Sequence, residues 1–365
     1  MKVALVYDRV NKIGGAERVL ETLHQIWPEA PLFTAVYHSK ATPWAKFKVI
    51  PSFLNKFPFA KTRHEAYPYL MPLVFESFNF DEYDVVISIT SEAAKGIITK
   101  PKTFHICYCL TPTRYLWSGY RDYFQNKVFR FLTKPFVAYL RSWDKIAGQR
   151  PDVYLAISEN VKRRIRKYYG RNSDVIYPPV DINKFKIQNP KLKTTTSNSK
   201  FFLVVSRLVA YKKVDLVIEV FNQLNLPLKI IGTGNQMRKL KMMARKNIEF
   251  LGQLTDRELL GYYQRCQAVI FPQEEDFGLV PLEAQACGRP VIAFRGGGVL
   301  ETVIEGKTGL FFTSQTPGAL MKAVKQFEAS QFKSRICRQN AEKFGQERFK
   351  EQIKEFVREK WIKKS

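Results

Sequence analysis

The chain has 365 residues, 45% of them apolar and 14% aromatic, which is enough for two domains with separate cores and too apolar for a disordered chain. Its 59 Lys and Arg against 33 Asp and Glu give a formal charge of +26, which favours an anionic partner (nucleic acid, an anionic membrane face or phosphorylated substrates) without choosing among them. No apolar run approaches the ~20 residues of a spanning helix, the run Val3 to Tyr7 is too short for a signal-peptide core, and five cysteines without zinc spacing suit neither a disulfide framework nor a zinc site. A cytosolic protein with five buried thiols is expected.

Short β-branched runs alternate with amphipathic stretches along the whole chain, which predicts α/β with parallel sheets. "KVALVYD" is a strand ending at the loop "RVNKIGG", and a helix follows with Ala16, Val19, Leu20, Leu23 and Ile26 on one face. Gly14 and Gly15 give that loop backbone amides open to a ligand. The segment 44–75 interleaves aromatics with cations, a pattern that suits cleft-side packing, single-stranded nucleic acid or an anionic membrane. Strands are predicted at 83–89, 103–109 and 152–158, and "SDVIYPPVD" closes the first half.

Residues 186–200 are polar and aperiodic, the predicted linker between an N-terminal domain 1–185 and a second domain 201–345. The second half reads as "FFLVVSR", a helix near 213–225, "LPLKIIGTG", another helix, "IEFLGQL", "AVIFPQ" and "PVIAF". Residues 346–365 carry Phe349, Ile353, Phe356 and Val357 on one helical stripe and are expected to dock back on the N-terminal domain. Two similar halves around one linker are expected to face each other across a cleft that takes the ligand.

The chemistry concentrates in "EEDFGLVPLEAQACGRP", residues 274–290. A helix entered through Gly278, with Pro281 in its first turn, directs free amides outward, a seat for phosphate. Glu275 and Glu283 would flank that seat. Carboxylates beside a diphosphate repel it, so they make sense as acceptors for sugar hydroxyls on either side. The competing reading is a solvated loop and a carboxylate that complements the helix dipole. Arg207, at the end of "VVSR", and Lys212 could grip a diphosphate and stabilise the charge that develops as it leaves, or could be ordinary surface charge. "IIGTG" lacks the third glycine of a dinucleotide fingerprint, and "FRGGGVLETV" offers a second amide-rich loop.

Arg207 with Lys212, then "EDFGLVPLEAQACGRPVIAF" and "GGGVLETV", resemble the donor-site signature of the retaining GT-B glycosyltransferases of family 4. Glu275 and Glu283 fill its Glu–seven residues–Glu pattern. The form with Asp276 is similar to bacterial mannosyltransferases of surface-polysaccharide assembly, and "GGAERVL", "YDVVISITSEAAKGI", "YCLTPTRYLW" and "VIYPPVD" extend the resemblance over nearly the whole chain.

The resemblance implies two Rossmann-like domains of GT-B type. It implies that Arg207 and Lys212 bind the donor diphosphate, Glu275 the transferred sugar and Glu283 the ribose. The amides of Phe277, Gly278, Leu279 and Val280 would meet sugar and phosphate. Gly14 and Gly15 would line the acceptor side with Thr111 and Arg114, and Gly15 would also approach the donor. The implied reaction is metal-independent hexosyl transfer with retention by front-face attack. The donor is a nucleotide sugar, with GDP-mannose favoured over a UDP-sugar, and the acceptor a saccharide or polyprenyl-linked saccharide at the inner face of the membrane. Relatives commonly carry His where this chain has Leu110. His105 lies an odd number of residues away in the same strand and faces the other side, so it is expected to be packed. The rivals are a nucleotide-sugar 2-epimerase, for which histidines are scarce, and a basic nucleic-acid-binding protein, which leaves the glycines and carboxylates at strand ends unexplained. No nucleic-acid partner is expected.

Overall fold

The computed structural model describes residues 1–11, 14–39, 47–124, 126–185 and 201–364. The predicted linker 186–200 lies outside the described residues, as do 44–46 of the aromatic–basic segment. The chain divides into two compact units, Met1–Pro179 with Glu347–Ser365, and Val180–Gln346. The expected boundary at 185 moves back to Pro179. Phe185 is fully buried in the second unit, with its ring 5.8 Å from that of Tyr263, so the short helix Ile182–Phe185 belongs there.

The first unit is built on a seven-stranded sheet: β1 (Val3–Tyr7), β2 (Leu32–Thr34), β3 (Val49–Pro51), β4 (Val85–Thr90), β5 (Phe104–Cys109), β6 (Val153–Ala156) and β7 (Asp174–Val175), in the order β3-β2-β1-β4-β5-β6-β7. All pairings in it are parallel. β1, β4 and β5 are buried at every position, as continuous apolar runs covered on both faces should be. β2 and β3 escape the sequence pattern because each is three residues long and a proline sits at or beside it, Pro31 before β2 and Pro51 in β3. The helix Gly15–Ile26 buries Val19, Leu20 and Leu23 of the predicted face, leaves Ala16 and Ile26 half-buried, and buries Glu17 and Thr22 as well.

The second unit carries β8 (Phe202–Val205), β9 (Leu228–Ile231), β10 (Ile248–Gly252), β11 (Val269–Phe271), β12 (Val291–Phe294) and β13 (Gly309–Phe312), in the order β10-β9-β8-β11-β12-β13, again all parallel. Its core joins Val204, Ile230, Ile270 and Ile292 of the sheet to Val217, Phe221 and Val324 of the helices on that face. The last helix, Gln346–Lys364, buries Phe349, Ile353 and Val357. Phe349 meets Tyr108 of β5 edge-on, and Lys364 donates to the Thr103 carbonyl and pairs with Asp152 at 2.8 Å, all within the first unit.

All five cysteines are buried free thiols. His105 in β5 is fully buried, its Nε2 2.8 Å from the Ser88 hydroxyl, and burial pushes its pKa down to about 3. Unfolded histidine titrates near ~6.5, so between that pH and about 3 the unfolded chain holds a proton the folded chain does not. Stability therefore falls as pH drops through this window, by up to ~1.4 kcal/mol per unit from this group. His105→Gln should flatten the acid limb of melting temperature against pH. A limb of unchanged slope would assign the titration to other groups.

Candidate functional site

In an open parallel sheet, ligands collect where the strand order reverses, beyond the carboxyl ends of the two strands at that point. In the second unit those strands are β8 and β11, since β9 and β10 extend one way and β12 and β13 the other. Arg207 and Lys212 follow β8, and Gln273 to Gly278 follow β11. The topology thus brings together the residues that the sequence separates by more than sixty positions.

Lys212 is buried to 7% exposure and its ammonium donates to Glu275 Oε1, which also accepts from Gln273 Nε2 at 3.1 Å. A desolvated ammonium needs such a partner, so Lys212 is a buried, paired cation rather than a solvated surface charge. Arg207 is exposed and donates to the Tyr211 hydroxyl at 2.8 Å. Gly278 stands at the helix start with φ 95°, a left-handed conformation that favours glycine, and it brings no side chain to cap the first turn of Leu279–Ala286. The amides of Leu279 and Val280 lie in that turn. Glu283 is buried and accepts at Oε2 from the Tyr263 hydroxyl at 2.8 Å, so that side chain is held by the core from one side. The sequence reading missed Tyr263, because its hydroxyl reaches Glu283 from a helix twenty residues away.

The glycine-rich segments around this loop are there for close approach. A Cβ on Gly297 would lie 2.2 Å from the Glu275 carbonyl oxygen, and one on Gly298 would lie 2.4 Å from that of Asp276. The Gly298 amide donates to the Glu275 carbonyl at 2.8 Å. "GGG" therefore clamps the backbone that carries Glu275. "IIGTG" has the same explanation: Cβ atoms on Gly232 and Gly234 would sit 1.9 and 2.2 Å from the carbonyl oxygens of Ser206 and Leu208, on either side of Arg207. The Gly232 amide also donates to the Gly252 carbonyl at 2.7 Å, which sets the "IGTG" and "GQL" turns side by side.

In the first unit the order reverses between β1 and β4. Gly14 caps the helix Gly15–Ile26 at φ −162°, extended backbone that any residue adopts, so nothing in the local conformation demands glycine there. Thr111 is buried just beyond β5 and Arg114 is half-buried. Sequence reasoning missed what holds these loops. Asp8, directly after β1, accepts from the Thr90 and Ser91 hydroxyls and from the amides of Ser91, Glu92, Ala93 and Ala94, at 2.6–3.2 Å. Glu92 pairs with Arg9 at 2.6 Å, and burial holds its carboxyl above the ordinary carboxylate range against that attraction. Lys95 and Asp144 form a fully buried pair at 2.6 Å, and Asp144 also accepts from Thr113, Trp117 and Tyr169. The visible signal was an Asp ending a buried strand and a lysine amid the small residues of "SEAAKG".

Two parallel Rossmann-like sheets in succession define the GT-B fold. The structure of Anabaena Alr3699/HepE in complex with UDP superimposes with a TM-score of 0.72 at 18% identity, covering 98% of this chain and 100% of that one. Residues 13–184 match the family model Glycosyltransferase Family 4, and residues 186–344 match Glycosyl transferases group 1. The chain belongs to the family 4 GT-B glycosyltransferases. Among curated relatives, an uncharacterized glycosyltransferase of Methanocaldococcus jannaschii is 27% identical over 56% of this chain and 57% of its own length. A GDP-mannose-dependent monoacylated alpha-(1-6)-phosphatidylinositol monomannoside mannosyltransferase of Corynebacterium glutamicum is 31% identical over 43% of this chain and 48% of its own. The chain spans about half the length of the curated relatives it matches.

Proposed function

We propose that this protein transfers a hexose, mannose from GDP-mannose in the favoured reading, onto a lipid-linked or growing saccharide with retention of configuration. The observation that carries the proposal is the buried Lys212 paired with Glu275 at the strand-order reversal of the second unit. A diphosphate entering there replaces Glu275 as the partner of Lys212, with Arg207 as the second cation. Glu275 is then released to accept hydroxyls of the transferred sugar, and Glu283 is the ribose acceptor. As the sugar–phosphate bond breaks, charge grows on the diphosphate, and two cations with the amides of Phe277, Gly278, Leu279 and Val280 stabilise it where it develops. The leaving phosphate takes the proton of the acceptor hydroxyl on the same face, so these groups meet the charge balance without a metal. Gly14, Gly15, Thr111 and Arg114 are assigned to the acceptor side. The mannosyl reading is supported by the Corynebacterium relative, whose name specifies GDP-mannose, and a UDP-sugar is the second donor to test because Alr3699/HepE was solved with UDP. Peripheral contact with the inner face of the membrane belongs to the same reading.

An epimerase would need an acid–base group at the sugar carbon. His105, the histidine nearest in sequence to the "YCLTPTRYLW" loop, is sealed in β5 and stays neutral above about pH 3.

The test is a thermal-shift panel of nucleoside diphosphates and their sugars, with and without Mg²⁺. Ligand at a hundred times its Kd should stabilise by about 2.7 kcal/mol. A selective shift with GDP and GDP-mannose, equal in both conditions, is the expected result, and a flat panel would overturn the donor assignment. Lys212→Ala should weaken nucleoside diphosphate affinity about 10–100-fold by calorimetry, the scale of a charge-assisted phosphate contact. Unchanged affinity would leave Lys212 a structural partner of Glu275 only.

A further inference from the structure

The helix Lys127–Leu132 buries none of its residues. Val128, Phe129, Phe131 and Leu132 on it, and Phe136 and Tyr139 at the start of the next helix, are all more than half exposed, with Phe131 at 69%. A soluble surface scatters large apolar side chains singly, and a cluster of this kind marks an interaction face. It continues through edge-on and tilted ring contacts: Phe136 meets Tyr69 at 6.3 Å, Tyr69 meets Tyr67 at 6.5 Å, and Tyr67 meets Phe57 at 5.8 Å. Two residues further on, Phe59 is held at φ 55° with its ring 78% exposed, a backbone conformation unfavourable for a bulky residue.

Charge selects the occupant. Lys127, Arg130 and Lys134 are interleaved with these side chains, and Lys134 lies over the Phe131 ring at 5.6 Å. The sequence has no Asp or Glu from 123 to 143, and Glu65, 3.4 Å from the His64 ring, is the one carboxylate between 30 and 75. Against a second copy of the chain this face would set cations against cations, whereas an anionic bilayer takes the rings among its acyl chains and the cations among its headgroups.

The connection runs from the carboxyl end of β5 through Thr111 and Arg114 to this face, then back along Lys134–Ala147 to the start of β6. The face therefore stands at the edge of the sheet where the acceptor-side loops emerge. Among the described residues no helix is long and apolar enough to cross a membrane. We infer that residues 127–139, with the turn at 57–69, form the surface by which this protein docks on an anionic membrane and presents its first unit to a lipid-borne acceptor. The inference rests on the peripheral-membrane part of the proposed function, and its test uses no donor or acceptor.

The full chain is sedimented with vesicles of phosphatidylcholine containing phosphatidylglycerol, and with phosphatidylcholine alone. Binding to the anionic vesicles only is expected. Lys127→Ser/Arg130→Ser/Lys134→Ser should weaken it roughly a hundredfold, about fivefold for each cation, and Phe131→Ser/Phe136→Ser should weaken it at least tenfold. Lys127, Phe131, Lys134 and Phe136 are exposed and Arg130 is half-buried, and an unchanged melting temperature verifies the fold of each variant. Wild-type binding in both variants would overturn the inference. So would a wild-type chain that ignores anionic vesicles but forms a dimer that Phe131→Ser/Phe136→Ser dissociates, which would assign the face to self-association. A nucleotide-induced thermal shift in the same preparations reports the donor site separately, so loss of one reading leaves the other standing.

Discussion

Glu275→Ala should lower turnover by about two to three orders of magnitude, the scale of removing one preorganised polar contact to the reacting group, while nucleoside diphosphate binding persists or tightens. The two halves of this expectation come from one contact. Without ligand, Glu275 neutralises the buried Lys212. In the proposed mechanism, donor binding breaks that pair, and its cost is set against the new phosphate contact. Removing the carboxylate removes the competitor, so the phosphate grip survives, but the sugar loses its acceptor and its alignment. Glu275 is partly exposed and its loop is clamped through backbone contacts to Gly297 and Gly298, so the fold should tolerate the change. Steady-state kinetics with calorimetry on the same variant decide it. A parallel loss of diphosphate affinity and melting temperature would make Glu275 a structural partner of Lys212. Near-normal turnover would remove it from the site altogether.

The second large effect is on stability. Asp144→Ala strips the fully buried Lys95 of its counterion and leaves the Trp117 indole and the Tyr169 hydroxyl without their acceptor, while the Glu92 carbonyl still accepts from Lys95 and Thr113 but carries no charge to offset the ammonium. Breaking a buried pair from one side costs about 3–5 kcal/mol, because the remaining charge stays in low dielectric. In a unit of this size that is a fall of roughly 10 °C in its melting transition. Lys95, Thr113 and Trp117 anchor the segments after β4 and β5, so surviving folded protein should also handle acceptor poorly, while nucleotide binding by the second unit is spared. A melting temperature within a degree or two of the parent would mean that water or the Glu92 carbonyl suffices to hold the Lys95 charge. The pair would then carry no structural weight.

The elements that could be read from the sequence are those whose signal is local. β4 and β5 are unbroken apolar runs, and the helix Gly15–Ile26 carries its period in its own side chains. β2, β3 and β13 were missed because a proline stands at or beside each of the first two, a glycine opens the third, and their place depends on a neighbouring strand. At Gly309, the first residue of β13, a Cβ would lie 2.1 Å from the Val291 carbonyl oxygen, so glycine there is explained by the pairing with β12. Of the site, Arg207, Lys212, Glu275, Gly278 and Glu283 were legible as residue types at motif spacing.

By itself the sequence determined the α/β alternation, the family pattern of the second half, and the set of charged and glycine residues at the candidate site. Only the tertiary structure decided what those residues do to one another. Lys212 meets Glu275 across 63 positions, Lys95 meets Asp144 across 49, and Asp8 gathers a loop more than 80 residues away. The glycines of "IIGTG" and "GGG" turned out to be places where two strand-end loops touch. "KVFRFL" could have been a core helix or a surface one until packing left its apolar side chains outside. The physical reason is the same in each case. Propensity and periodicity act over a turn of chain, whereas burial, ion pairing and close backbone approach depend on distances that exist only once the sheet has set the strand order.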